Sequence, residues 1–186
     1  EKYVIMSEAN LAANFDFKAM LNAHIESGAD VTLAYAQEEI PEGLIKPFDV
    51  NKDLYYTLDI EDGRVREIQI NPEEPGIQNL SLNIYIIERE LLISQISAAF
   101  VRGYVYFERD ILAPQLDKLN VHGYKFGGYI ARISSIKSYF DENMKLLDEE
   151  NLDALFGGNH IYTKIRDDNP TRYIKGAKAK NIMAAD

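Results

Sequence analysis

The sequence has no cysteine, which excludes disulfides, thiolate zinc sites and cysteine nucleophiles and fits a reducing, cytoplasmic setting. Positive charge is also in short supply. Against 30 Asp and Glu there are 20 Lys and Arg among 186 residues, a net charge of −10. Such a surface repels phosphate backbones and anionic lipid, so neither nucleic acid nor a membrane is an expected partner. No apolar run approaches the roughly 20 residues of a membrane span, and no basic, apolar-cored leader opens the chain. Histidine is scarce and scattered. His24, His122 and His160 have no metal-ligand spacing with one another or with a carboxylate, which points to surface or capping roles. "GGYIARIS" and "FGGNH" contain paired glycines without a G-x-G-x-x-G or Walker pattern and read as turns. No serine sits in a G-x-S-x-G elbow. The carboxylates of "YFERD" and "LDEENLD" fall on expected helix surfaces, where solvation is their ordinary role.

What is present is a folding sequence. Hydrophobic residues make up 46% and charged residues 27%, too apolar for disorder and enough for one domain with an appended piece. Glu1 leads straight into the apolar "YVIM" (3–6), as if entering in mid-strand, so a fragment lacking its natural N-terminal portion is expected. Phe17, Met20, Leu21 and Ile25 recur at helical spacing between a capping Asp16 and a terminating Gly28. "DVTLAYA" (30–36) follows as a strand, completing a βαβ pattern of parallel strands. Residues 37–53 read as a loop. Asp62-Gly63 joins two strands in a hairpin, "NPEEPG" (71–76) is a polar turn, and "LSLNIYII" (80–87) is a strand. Leu92, Ile96, Ala99 and Phe100 mark the buried face of a helix, and "DILAPQLDKL" marks another, kinked or started by Pro114. "VHGYKF" and "GYIARI" read as strands about Gly127-Gly128. Ser134 or Ser135 then caps a helix carrying Ile136, Phe140, Met144 and Leu147 on one face, with Lys137, Asp141 and Lys145 pairing on the other. Beyond Ile161 helical periodicity is lost.

One residue is out of place: Arg132 stands between Ile130 and Ile133 in an apolar strand. Taken in order, "YVIMSEANLAANFDF", "GADVTLA", "DGRVREIQINP", "SLNIYIIERELL", "YFERDILAP", "GYIARISSIKSYFDENMKLL" and "IYTKIRDDNPTRY" resemble the glucose-1-phosphate adenylyltransferase family. The most specific piece is similar to the family's Gly-Tyr-Trp-x-Asp-Ile-Gly-Thr-Ile. This resemblance implies a Rossmann-like nucleotidyltransferase fold with a mixed, mainly parallel sheet and flanking helices. Residues 1–157 would form its C-terminal part, and 158–186 the linker and start of a left-handed parallel β-helix. The implied chemistry is adenylyl transfer from ATP to glucose 1-phosphate with magnesium held by two aspartates.

In the alignment that the resemblance gives, those two aspartates fall on Asn10 and Arg132. A guanidinium about 4 Å from a divalent ion, at an effective dielectric of about 20, repels it by roughly 8 kcal/mol. The sugar-phosphate pocket also departs. Glu-Lys-Pro becomes Ile70-Asn71-Pro72, Ser-Met-Gly-Ile-Tyr becomes Ser81-Leu82-Asn83-Ile84-Tyr85, Asp-Phe-Gly becomes Tyr106-Phe107-Glu108, and the Trp becomes Ile130. The resulting expectation is a regulatory subunit with no catalytic residue or cofactor of its own, bound to a catalytic adenylyltransferase subunit in a hetero-oligomer, a tetramer. Its degenerate pocket, with Asn71, Ser81, Asn83, Tyr85, Phe107 and Ile130, would retain at most a sugar phosphate or ADP-glucose, and Arg132 would hold a phosphate, reach solvent or pair with a carboxylate. The alternatives are a divergent, active nucleotidyltransferase whose magnesium is held by Glu8, Asp16 or Asp110, and a sugar-nucleotide-binding module outside glycogen metabolism.

Overall fold

The computed structural model describes residues 1–40, 55–71, 76–162, 175–178 and 180. Their contacts divide into two units, one of residues 1–8 and 17–127, the other of 9–16 and 128 onward.

The first unit is built around one long strand. β1 (Tyr3–Ser7), α1 (Phe17–Ser27), β3 (Val31–Glu39), β4 (Tyr56–Glu61), β5 (Arg64–Ile70), β6 (Ile77–Glu88), α2 (Arg89–Arg102) and β7 (Val121–Lys125) belong to it, while β2 (Leu11–Ala13) lies in the second unit. The sheet order is β1-β6-β3-β7-β5-β4. β4 bridges back to β6 at the single pair Thr57↔Leu80, so five strands close into a ring. From Leu80 to Ile87 every residue of β6 is buried, as a strand covered on both faces requires. Val31, Leu33, Leu58, Val65, Ile87 and Val121 gather into the core with Leu92 and Leu112.

This is a mixed α/β fold, as expected, but its sheet is not mainly parallel. Among the described residues, only β3 with β7 pairs parallel; β6 runs antiparallel to β1, β3 and β4, and β5 to β4 and β7. β1 and β3 do share a direction, each being antiparallel to β6, which is inserted between them. The local strand-helix-strand pattern is therefore a split βαβ unit. The hairpin at Asp62-Gly63 forms as read, with both residues at positive φ, 50° and 79°, the pair of left-handed conformations that a type I′ turn requires. Gly28, at φ 61°, ends α1.

Three helical expectations are corrected. In α2, Leu92 and Ala99 are buried, but Ile96 and Phe100 are exposed, Phe100 by 87%. The stretch around Pro114 is not an α-helix; Phe107–Leu112 is a π-helical turn and Ala113–Gln115 a 3₁₀ turn. A proline lacks the amide needed to extend a helix through it, and the wider turn precedes it. In α1, Met20 is buried as expected, whereas Phe17 and Ile25 are exposed and the second buried residue is His24. His24 is therefore no surface residue. Its Nδ1 is 2.7 Å from Thr32 Oγ1 and its ring stands edge-on to Tyr3.

The second unit holds β2, β8 (Ile130–Arg132), α3 (Ile136–Lys145) and α4 (Glu149–Phe156). β8 pairs antiparallel with β2, not with β7 across Gly127-Gly128. Ser135 caps α3, its hydroxyl accepting from Ser138 N–H while Ser138 Oγ accepts from Ser135 N–H. Lys137 pairs with Asp141, but Lys145 turns to Glu142. The apolar face expected of α3 is present yet uncovered: Ile136, Phe140 and Met144 are all exposed. Asn14 donates to the carbonyls of Leu155 and Asn159 and accepts from Asn159 N–H, fastening the end of α4. The expected loop at 37–53 begins later, since β3 continues to Glu39; residues 41–54, most of the turn at 71–76, and most of the expected β-helix segment lie outside the described residues.

Candidate functional site

β6 carries a bulge at its centre. Leu33 pairs with Tyr85 and Tyr35 with Ser81, so one residue of β3 faces three of β6. Asn83, in the middle of that excess, has φ 52°. Glycine adopts this left-handed conformation freely, and Asn is among the few other residues that tolerate it. An asparagine where the resemblance places a glycine thus preserves the backbone and adds an amide. Bulges of this kind re-aim side chains, and here they build a polar cluster in a strand otherwise apolar.

Asn83 Nδ2 donates to Glu8 Oε1 at 2.6 Å, and Ser81 Oγ donates to Asn83 Oδ1 at 3.1 Å while accepting from Asn83 N–H at the same distance. Tyr85 OH reaches Asn83 Oδ1 only at the outer limit of bonding, 3.5 Å, and its ring stands edge-on to Phe107 with centroids 5.1 Å apart. The structure therefore gathers Ser81, Asn83, Tyr85 and Phe107, four of the expected pocket residues. It adds two carboxyls, Glu8 and Glu108.

Glu108 is the residue that sequence reasoning misplaced. Assigned to a solvated helix surface, it is only 6% exposed, and its Oε1 is buried with no hydrogen-bond partner among the described residues. Burial pushes its carboxyl up to about 7, and the nearby negative charge of Glu8 adds to the effect against an opposing bond from its own backbone. Across the core, burial and then the Glu108 charge raise the Tyr56 phenol. A signal was available: Glu108 replaces a glycine in the pattern the chain resembles, directly after a phenylalanine that packs inward. The π-helical turn that carries it is a distortion frequent at functional sites.

Asn71 has a different task. It has φ 46°, its Oδ1 accepts from Tyr55 N–H at 2.9 Å, and its own N–H donates to Tyr55 O, closing the base of the β4–β5 hairpin. It stands where the resemblance expects the lysine that contacts the sugar phosphate.

Asn10, Ile130 and Arg132 lie in the second unit. Leu11 pairs with Arg132 and Ala13 with Ile130, and Ile133 N–H donates to Asn10 O at 2.7 Å. The two positions aligned with metal-binding aspartates thus meet on neighbouring backbones, Asn10 exposed in a bend just before β2, Arg132 half-buried on β8. Their donor set is an uncharged amide and a cation. It does not fit a divalent metal. The alternative carboxylates are engaged or dispersed. Asp110 Oδ2 accepts from the N–H groups of Val105 and Tyr106, and Arg109 bonds both its oxygens; that ion pair, foremost, holds the Asp110 carboxyl well below the usual range. Among the described residues no three His, Asp or Glu side chains converge on a common point.

A mixed α/β sheet with flanking helices is consistent with a nucleotidyltransferase-like fold, and comparison with known proteins points the same way. No family model matches the chain. It is similar, at 28% identity over 87% of its length, to a glucose-1-phosphate adenylyltransferase of Thermomicrobium roseum, of which it covers 37%. It is 25% identical over its whole length to the glycogen biosynthesis protein GlgD of Bacillus subtilis, and 29% identical to the GlgD of Geobacillus stearothermophilus, covering 42% of each. The chain spans less than half the length of these curated relatives. Among the described residues no helix is long and apolar enough to cross a membrane.

Proposed function

We propose that the chain is part of a regulatory, catalytically deficient subunit of glucose-1-phosphate adenylyltransferase, serving ADP-glucose formation for glycogen synthesis through a catalytic partner. The observation that carries this reading is the meeting of Asn10 with Arg132 on adjoining backbones. A guanidinium repels the cation that the chemistry of its relatives requires. Two further observations lean the same way. Asn71 is committed to the hairpin base, and Glu108 adds a carboxyl to the bulge cluster, a group that disfavours a bound phosphate once it is ionised. The role left to such a subunit is to bind active and inactive forms of a partner unequally, which is the thermodynamic content of regulation.

The second reading, a divergent but active nucleotidyltransferase with magnesium, is favoured by relatives named as adenylyltransferases that match as well as those named GlgD. One experiment separates the two. Full-length protein is assayed alone with magnesium, ATP and glucose 1-phosphate, then together with a catalytic homologue. The regulatory reading expects no turnover alone, co-elution with the homologue, and an altered rate in the mixture. It also expects Asn10→Asp with Arg132→Asp to restore little. Appreciable turnover by the unaltered protein alone would establish the second reading in its place.

A further inference from the structure

α2 has two faces, and its own unit uses one. Leu92 and Ala99 are buried, and Gln95 Oε1 accepts from Gln115 Nε2 at 2.9 Å, which fixes that side to the rest of the unit. The other side carries Ile93, Ile96, Ser97 and Phe100, at the i, i+3, i+4, i+7 spacing of a helix-pairing stripe, and Val101 one turn beyond Ser97. All five are exposed, Phe100 by 87% and Val101 by 84%. A single exposed apolar residue needs no explanation, but a contiguous row marks an interaction surface. Ser97, the polar member of the row, donates its hydroxyl to Ile93 O at 2.8 Å, so covering it strands no donor.

Charge and shape select the occupant. Two copies of a chain at −10 repel one another, least where the surfaces that meet are uncharged, and Leu91 to Val101 holds no charged side chain. The stripe is also its own complement. Laid antiparallel about a two-fold axis between Ile96 and Ser97, it sets Ile93 of each copy against Phe100 of the other and Ile96 against the small Ser97, so that each contact occurs twice. The next position outward brings Arg89, at the start of α2, to Tyr104, at the end of the other α2. Tyr104 is folded onto that end, its N–H donating to Ala99 O at 3.0 Å, and its side chain is exposed. A guanidinium thus meets an aromatic ring and the negative pole of a helix at both ends of the pair. We propose that α2 is the contact of a two-fold homodimer, its stripe packed antiparallel on that of a second copy with Arg89 of each on Tyr104 of the other. This interface stands whether or not the subunit is regulatory.

Ser97→Cys is introduced into the full-length protein, which is treated with a bismaleimide about 8–11 Å long, to match the roughly 8–10 Å between packed helix axes. The tryptic digest is then read by mass. A peptide of residues 90–102 joined to a second copy of itself through the introduced thiols can arise only between two molecules, and it is the expected product. Its yield should fall about tenfold or more when Phe100→Asp is added, and about threefold with Arg89→Ala. Both positions are exposed, so circular dichroism should show the fold unchanged. Ile77→Asp, an exposed apolar residue at the end of β6 far from α2, should leave the yield intact. Absence of the self-joined peptide would overturn the proposal, as would a yield unmoved by Phe100→Asp or lost equally with Ile77→Asp. A thiol that joins only to another segment of the protein, or is shielded from the reagent without joining, overturns it too and assigns the stripe to a different cover. No catalytic homologue is present in this assay, so failure of the regulatory reading and failure of this interface are distinct results.

Discussion

Glu108 makes stability depend on pH in a direction opposite to that of most surface carboxylates, and the effect can be sized. Its ordinary value is 4.5 and the folded protein holds it at about 7. Between those values the folded state binds a proton that the unfolded state has released, so stability falls as pH rises. The contribution is fully present below pH 4.5 and fully lost above about 7. At about 1.4 kcal/mol for each pH unit of that interval, the loss amounts to about 3 kcal/mol. Against a total of about 5–15 kcal/mol for a domain, that is a large fraction. The perturbation is Glu108→Gln, which removes the proton and keeps the shape. The assay is urea unfolding of both proteins from pH 4.5 to 8.5, plotting the difference in unfolding free energy so that contributions of other carboxylates cancel. The variant should gain on the wild type as pH rises, by about 3 kcal/mol in all, with the midpoint of that gain between the two values. Parallel curves over the whole range would show that Glu108 is not buried without compensation, and the reasoning about the bulge cluster would fall with it.

His24 should show the opposite trend at acid pH. Burial, foremost, lowers its pKa, with Asp30 and Glu88 opposing and Lys2 assisting. Its stabilising contribution is therefore present above the unfolded value of 6.5 and is lost as pH falls below it. Wild type should lose stability from pH 7 to 5 relative to His24→Gln, as read by thermal unfolding; an unchanged difference would refute the buried, neutral imidazole. Asn83→Ala leaves a β-carbon in the left-handed region and strips the Glu8 bond. A cost of about 2–3 kcal/mol is expected from the two effects together, whereas Asn83→Gly should cost clearly less, because only the hydrogen bonds are lost. Equal destabilisation by the two, measured by urea unfolding, would contradict the strained bulge.

Local chemistry was legible in the sequence wherever it decided the conformation by itself. Asp62-Gly63 specifies a hairpin because few other pairs accept two positive φ angles, Gly28 ends α1 for the same reason, and Ser135 caps α3 through a bond made within three residues. Nonlocal placement was not legible. Nothing between Tyr3 and Ala36 says that β6, which begins only at Ile77, will come between β1 and β3, so a parallel sheet was the natural reading. Helical spacing gave Ile96 and Phe100 the right face of α2 but not a partner for it. Of the candidate site, the positions followed from resemblance, and the structure joins Asn10 to Arg132 and Ser81 to Asn83, Tyr85 and Phe107. Glu108 was missed because a carboxylate in a charged run looks solvated; only the π-helical turn, which a proline-containing sequence does not announce, carries it inward.

The ring of strands is held at two of its joins, β4–β6 and β5–β7, by a single backbone pair each. Between β4 and β6 there is a single backbone pair, Thr57↔Leu80, and beside it Asn79 Nδ2 reaches across to the Leu58 carbonyl at 3.0 Å. Every other join in the ring except β5–β7 is a ladder of several rungs. The barrel thus closes at β4–β6 with one tooth and a side-chain latch and at β5–β7 with one tooth, so breathing of this unit should lift the β4–β5 hairpin out as a piece while leaving β3 and β6 stitched together.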